Sequence, residues 1–138
     1  VRILNDLYTA LDKIAAKHQV FKVDTIGDAY MVIGGAPERC SGEEAAARVA
    51  RFALDALDEV STAASGMQMR CGMASGHVVG AVLGTAMPKY SFFGDTVNTA
   101  SRMESTGHAG RLQVNERTME LLTGSLDEFA IRERGGGQ

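Results

Sequence analysis

Two short stretches of the 138-residue chain carry side chains whose types and spacing could do chemistry. The first, FKVDTIGDAY, sets Asp24 and Asp28 four positions apart around Gly27 in an otherwise apolar run. Asp28 follows a glycine at a tight turn, a good place for a carboxylate ligand of Mg²⁺. A turn aspartate chosen for backbone geometry alone explains the same pattern. Asp24 lies within the strand leading to that turn, facing either a pocket or solvent. The second stretch, FFGDTVNTASRMESTG, places Asn98 and Arg102 four apart, hence on one helix face. That pair could hold a phosphate and a sugar oxygen, because a guanidinium fork matches phosphate geometry. A solvated helix face is the plainer alternative.

Other features carry less. GHVVGAVLG is glycine-rich but lacks GxxxxGK[ST] and GxGxxG, so tight strand turns explain it better than a phosphate loop. The seven methionines, Met67, Met69 and Met73 among them, read as core filler. Lys89, in MPKYS, reads as a solvated loop lysine.

The elements that must position these residues follow from periodicity. Ile3, Leu4, Leu7, Tyr8, Leu11, Ile14 and Ala15 recur at helical spacing. Residues 20–26 are rich in β-branched and aromatic side chains, Gly27-Asp28 is a turn signal, and AYMVIGG reads as a second strand, which together predict a hairpin. Ser41 and Glu44 form a capping box opening a long helix with Ala45, Val49, Phe52, Ala53, Ala56, Leu57 and Val60 as its buried stripe. MQMRCGMAS and HVVGAVLG read as another strand pair. DTVNTASRMESTG reads as a helix with Asp95 near its cap and Gly107 at its end, its apolar face carrying Val97, Ala100 and Met103. RLQVN, ERTMELL and DEFAIRE complete the pattern as strand, helix and strand. The order α-β-β-α-β-β-α-β-α-β predicts an α+β fold, a central sheet with helices packed on one face.

Bulk properties narrow the class. The length suits one domain with one core. Fourteen basic against seventeen acidic residues, with no basic stripe, argue against a nucleic-acid partner. Cys40 and Cys71 form no CxxC pair, which points to a reducing, cytoplasmic compartment. The scattered His18, His77 and His108 argue against zinc. No apolar run approaches the ~20 residues a membrane helix needs, so no membrane contact by this segment is expected. The chain opens on Val1 already in helical period and stops in RERGGGQ, which predicts a piece of a larger protein that could itself be membrane-tethered.

KVDTIGDAYMVIGG, GMASGHVVGAVLGTAMPKYSFFGDTVNTASRMESTG and the lead-in LNDLYTALD together resemble the catalytic domains of class III nucleotide cyclases, guanylate cyclases above all. The similarity runs nearly end to end, and GDTVNTASRMEST is its most specific part. The resemblance implies a ferredoxin-like fold over residues 1–138 as a single catalytic domain. It implies conversion of GTP to 3′,5′-cyclic GMP and pyrophosphate by attack of the ribose 3′-oxygen on the α-phosphorus. It also implies a head-to-tail homodimer or cyclase heterodimer, each site taking metal ligands from one chain and base- and ribose-binding groups from the other.

Residue by residue, Asp28 matches the second metal-binding aspartate of a site expected to use two Mg²⁺ or Mn²⁺ ions. One ion lowers the pKa of the 3′-hydroxyl and the other holds the phosphates. Asp24 and Ser91 match the two base-selecting positions, usually Glu and Cys in guanylate cyclases. Guanine offers N1–H and N2–H as adjacent donors that the Asp24 carboxylate accepts as a pair. Adenine turns a lone pair toward it, and an unpaired buried group costs about 1–3 kcal/mol, a discrimination of roughly tenfold or more. The Ser91 hydroxyl donates to guanine O6 or accepts from adenine N6, which keeps an adenylate or dual-specificity cyclase as the alternative. Asn98 then orients the ribose, and Arg102 stabilises charge on the transferring α-phosphate. The family's first metal aspartate, on a strand before the lead-in helix, and its pyrophosphate-binding lysine, after the last strand, have no counterpart in the sequence. The segment alone is therefore expected to be weak or inactive, and a non-catalytic cyclase-like dimerisation partner is a further alternative.

Overall fold

The computed structural model describes residues 2–26, 29–35, 40–62, 68–76, 79–83 and 89–122, with the backbone alone described at 2–4, 24–26, 62, 79–83 and 89–93. Helix α1 (Arg2–His18) carries Leu7, Leu11, Ile14 and Ala15 inward. It stops where Gln19 turns to φ 59 and Val20 N–H reaches back to Ala15 O at 3.1 Å. Strands β1 (Phe21–Ile26) and β2 (Ala29–Ile33) pair antiparallel from Phe21↔Ile33 to Ile26↔Ala29, the predicted hairpin. Its turn, with Gly27 and Asp28, lies outside the described residues, as does DEFAIRE.

Helix α2 (Gly42–Thr62) begins as the capping box requires: Glu44 N–H donates to Ser41 Oγ at 3.1 Å. The Glu44 carboxylate turns instead to Arg48 Nε, 3.0 Å away and one helical turn on. The buried face of α2 differs from the expected stripe: Phe52, Ala53, Ala56 and Val60 are buried, but Ala45, Val49 and Leu57 are only partly so, and Ala46, Ala47 and Ala50 are covered in addition. The reason is two sets of partners. Toward its C-terminal end, Phe52 and Ala56 join Leu11, Ala15 and Val20 in one core. Toward its N-terminal end, the three alanines meet Met73 and Leu122 in a second. Alanine lets the elements come close, and at Gly34 a Cβ would lie 2.8 Å from Ala45 O.

The remaining strands pair differently from expectation. Strand β3 (Cys71–Met73) does not pair with β4 (Val79–Leu83). It runs parallel to β6 (Leu112–Val114), and β4 pairs antiparallel with β5 (Lys89–Phe93). Lys89 is thus a strand residue. Helix α3 (Asp95–Ser105) follows β5, and α4 (Glu116–Leu122) follows β6. Asn115 caps α4, its Oδ1 accepting from Thr118 N–H at 3.0 Å.

Alternation along β3 and β6 decides which face each helix takes. Met73, Leu112 and Val114 pack toward α2 and α4. Gly72 and its ladder partner Gln113 turn toward α3. The α+β architecture is as expected, but around this ladder α2 and α3 lie on opposite faces rather than one. Among the described residues no helix is long and apolar enough to cross a membrane.

Candidate functional site

Strand β5 and helix α3 form one continuous unit joined by a single residue, Gly94. Gly94 holds φ 125, which a side chain would strain, and its carbonyl accepts Asn98 N–H at 3.2 Å. Ser91, opposite Ala81 in the β4–β5 ladder, thus lies three residues before the N-cap of the helix bearing Asn98 and Arg102. Strand β1, which carries Asp24, approaches β5, which carries Ser91, without pairing to it. Of the five residues singled out by sequence, four thus lie on two strands and the helix that leaves one of them. Asp28, the fifth, is outside the described residues.

The strand bearing Asp24 is irregular where it matters. The register shifts between Lys22 and Asp24, so Val23 is an extra residue and Asp24 falls opposite Met31. Such a bulge re-aims the strand just beyond it. The hairpin is tied to α1 on both sides of the bulge. Tyr30 donates to Asp12 Oδ1 at 2.5 Å, Lys22 Nζ reaches the same oxygen at 3.1 Å, and that ammonium sits 5.2 Å from the Tyr30 ring centroid. The Tyr30 hydrogen bond, with Lys22 beside it, holds the Asp12 carboxyl below its ordinary value against some desolvation. Burial, then Asp12, pushes the Tyr30 hydroxyl up. Asp12 thus anchors the hairpin.

Asn98 and Arg102 are both exposed, on the face of α3 away from β3. Arg102 Nη2 donates to Thr99 Oγ1 at 3.1 Å, which steers the guanidinium along the helix. The opposite face, with Val97, Ala100 and Met103 partly buried, packs down as the period predicts. Asp95 is in the first turn but makes no cap hydrogen bond, since Gly94 is the N-cap. At the other end Gly107 is not left-handed. A Cβ there would meet Met103 O at 2.9 Å, so close approach is what the glycine serves.

Two side chains secure the last turn of α3. Arg70 Nε pairs with Glu104 Oε2 at 3.2 Å, and its Nη1 donates to Ser105 O at 3.4 Å. Gln113 Nε2 donates to Met103 O at 3.1 Å and to Thr106 Oγ1 at 2.8 Å. Sequence reading missed Gln113. Its only signal was a polar side chain in an apolar three-residue strand, LQV.

For a divalent metal the fit rests on donor chemistry. Asp28 offers the hard carboxylate oxygen that Mg²⁺ and Mn²⁺ prefer. Among the described residues no group of three or more His, Cys, Asp or Glu gathers to hold an ion. Cys71 is no thiolate donor, because burial, and then the Glu104 carboxylate, push its thiol up to about 12.

Comparison with known proteins identifies the family. The sequence model of the family described as "Adenylate and Guanylate cyclase catalytic domain" matches residues 1–137. Retinal guanylyl cyclase 1 of Bos taurus is 47% identical over 141 residues, covering 98% of this chain but only 13% of the relative. The crystal structure of the guanylate cyclase domain of RhGC from Catenaria anguillulae, in complex with GTP, superposes with a TM-score of 0.80 at 43% identity, covering 88% of this chain and 68% of that one. The adenylyl cyclase CyaB from P. aeruginosa superposes at 0.86 with 24% identity, covering 97% of this chain and 72% of that one; it shares the fold.

Proposed function

Because the chain belongs to the adenylate and guanylate cyclase catalytic domain family, we propose that it is the catalytic domain, or most of it, of an enzyme converting GTP to 3′,5′-cyclic GMP and pyrophosphate. The observation that carries this reading is the approach of β1 to β5, with α3 leaving β5 through Gly94. It supports a site drawn from β1, β5 and the Asn–Arg face of α3. The chain spans only 13% of the retinal relative, whose name supports GTP as the substrate.

The roles follow from the chemistry of each group. Asp24 accepts guanine N1–H and N2–H, and Ser91 donates to O6. Asn98 holds the ribose so that its 3′-oxygen lines up behind the α-phosphorus. In the reaction the bond from that oxygen to phosphorus forms and the bond from phosphorus to the β-phosphate oxygen breaks. Pyrophosphate leaves, and the 3′-hydroxyl proton passes to solvent. Charge builds on the non-bridging α-phosphate oxygens, where Arg102 is worth most because that charge is greater in the transition state than in bound GTP. Divalent metal ions serve class III cyclase domains generally. Asp28 would hold Mg²⁺ or Mn²⁺, and a bound pair supplies acidity at the 3′-hydroxyl and neutralises phosphate charge.

Asp28 serves a different site from Asp24, Ser91, Asn98 and Arg102 in this reading. Two copies, or this chain and a cyclase relative, pair head to tail, and Asp28 of one faces the base and ribose groups of the other. Free cysteines and a nucleotide substrate both fit the cytoplasm. The fold shared with an adenylyl cyclase does not choose the base, so the choice rests on Asp24.

The test is product formation by the full-length protein with GTP or ATP and Mg²⁺ or Mn²⁺. Cyclic GMP should dominate, and Asp24→Lys should cut the preference for GTP roughly tenfold or more. A protein that makes chiefly cyclic AMP rejects the substrate. One that makes no cyclic nucleotide, or stays monomeric while active, rejects the composite site.

A further inference from the structure

Arg102 can act only if the last turn of α3 is held still, and that turn has no buried residue of its own. Besides Arg70 at its surface and Gly72 beneath it, one support comes from β6. Gln113 is 8% exposed, in a core otherwise nearly free of polar side chains among the described residues. Its two amide hydrogens have two acceptors, Met103 O at 3.1 Å and Thr106 Oγ1 at 2.8 Å. A carbonyl cannot donate, so Met103 O fixes which end of the amide faces the helix. The Thr106 hydroxyl, having accepted from Gln113, donates to Arg102 O at 2.7 Å, where Thr106 N–H also donates at 3.0 Å. A hydrogen-bonded line therefore runs from a strand on one side of the ladder to the backbone of the candidate catalytic arginine. Across the ladder Gly72 lets the helix sit low enough for the amide to reach.

We propose that Gln113 is a positioning residue, acting through Thr106 to fix the backbone and reach of Arg102. The inference rests on the role given to Arg102 above. The Gln113 amide touches no substrate atom. It sets where the guanidinium starts from, and small misplacements of such a group can lower rates by about ten- to a hundredfold.

The full-length protein is assayed at steady state with Gln113→Met, which keeps length and volume but donates nothing, and with Thr106→Val, an exposed position that breaks the line nearer Arg102. Each should lower kcat by about ten- to a hundredfold with KM within about twofold. The deciding readout is the Arg102→Ala background, where neither substitution should lower kcat further. A generic loss of stability would add to Arg102→Ala, and additive effects would overturn the proposal. So would a Thr106→Val enzyme with the parent's kcat, even if Gln113→Met proves insoluble. If Arg102→Ala alone leaves kcat unchanged, the site assignment falls first, a result distinct from additivity.

Discussion

A Cβ on Gly72 would lie 2.0 Å from the backbone nitrogen of Glu104, so helix α3 rests on strand β3 with no side chain between them. Met103 C at 2.5 Å and Ala100 O at 2.6 Å close the other sides. All three are backbone atoms of one helix, so none can swing away. Gly72→Ala should therefore push α3 outward or unfold the ladder, with overpacking of about 1–3 kcal/mol or more. Urea unfolding of the variant should show a lower midpoint at unchanged slope. Native-like stability would mean that α3 lies farther from β3 than described.

Arg102 should behave as a group used chiefly in the transition state. Arg102→Ala should lower kcat by about 10²–10³ with little change in KM, the loss typical of a preorganised donor to developing charge. Arg102→Lys should recover little, since an ammonium cannot reproduce the guanidinium fork. Steady-state kinetics on GTP decide it, and a large rise in KM at constant kcat would assign Arg102 to ground-state binding.

What could be read without coordinates was what repeats locally. The four-residue spacing of Asn98 and Arg102 fixes their shared face whatever else the chain does. Ser41 announces α2 through a hydrogen bond three residues long. The β1–β2 hairpin closes on itself. Pairings between distant segments were opaque. Cys71–Met73 finds its partner in Leu112–Val114, past two strands and a helix, so no local pattern distinguishes it from a neighbour of β4. Lys89 looked like loop because its strand is short and exists by pairing with β4. Ala46, Ala47 and Ala50 fall off a single helical stripe because α2 serves two cores at once. Gln113 read as an ordinary strand residue, since its role depends on where α3 ends.

Cys71 should be a poor nucleophile in the folded protein. Its thiol is pushed up to about 12, by burial first and by Glu104 second, so at pH 8 almost none is thiolate. In a Cys40→Ser background, alkylation by iodoacetamide should be slow in buffer and fast in denaturant. Glu104→Gln should quicken it only slightly, because burial is the larger cause. Rapid labelling under native conditions would place Cys71 nearer solvent than the β3–β6 ladder puts it.

Stability should fall on the acid side through two carboxylates that fasten α1. Asp55 Oδ2 lies 2.6 Å from His18 Nε2 and 3.6 Å from Lys17 Nζ, and the His18 hydrogen bond is the main reason its carboxyl sits below the usual 3.8. Asp12 is lowered likewise, chiefly by Tyr30. A carboxylate with a depressed folded-state pKa favours folding above its unfolded value, because the unfolded chain then takes up protons first as the pH drops. The contribution is present at neutral pH, begins to fade as the pH approaches 3.8, and is gone below the folded-state value. Asp55→Asn and Asp12→Asn should thus weaken the protein at pH 7, while their difference from the parent shrinks between about pH 5 and pH 2. Both side chains are about half exposed, at 44% and 50%, so high salt should narrow the gap as well. Urea midpoints across that pH range measure it. A gap that stays constant with pH would mean that the substitutions act through packing and not through the ionised carboxylates.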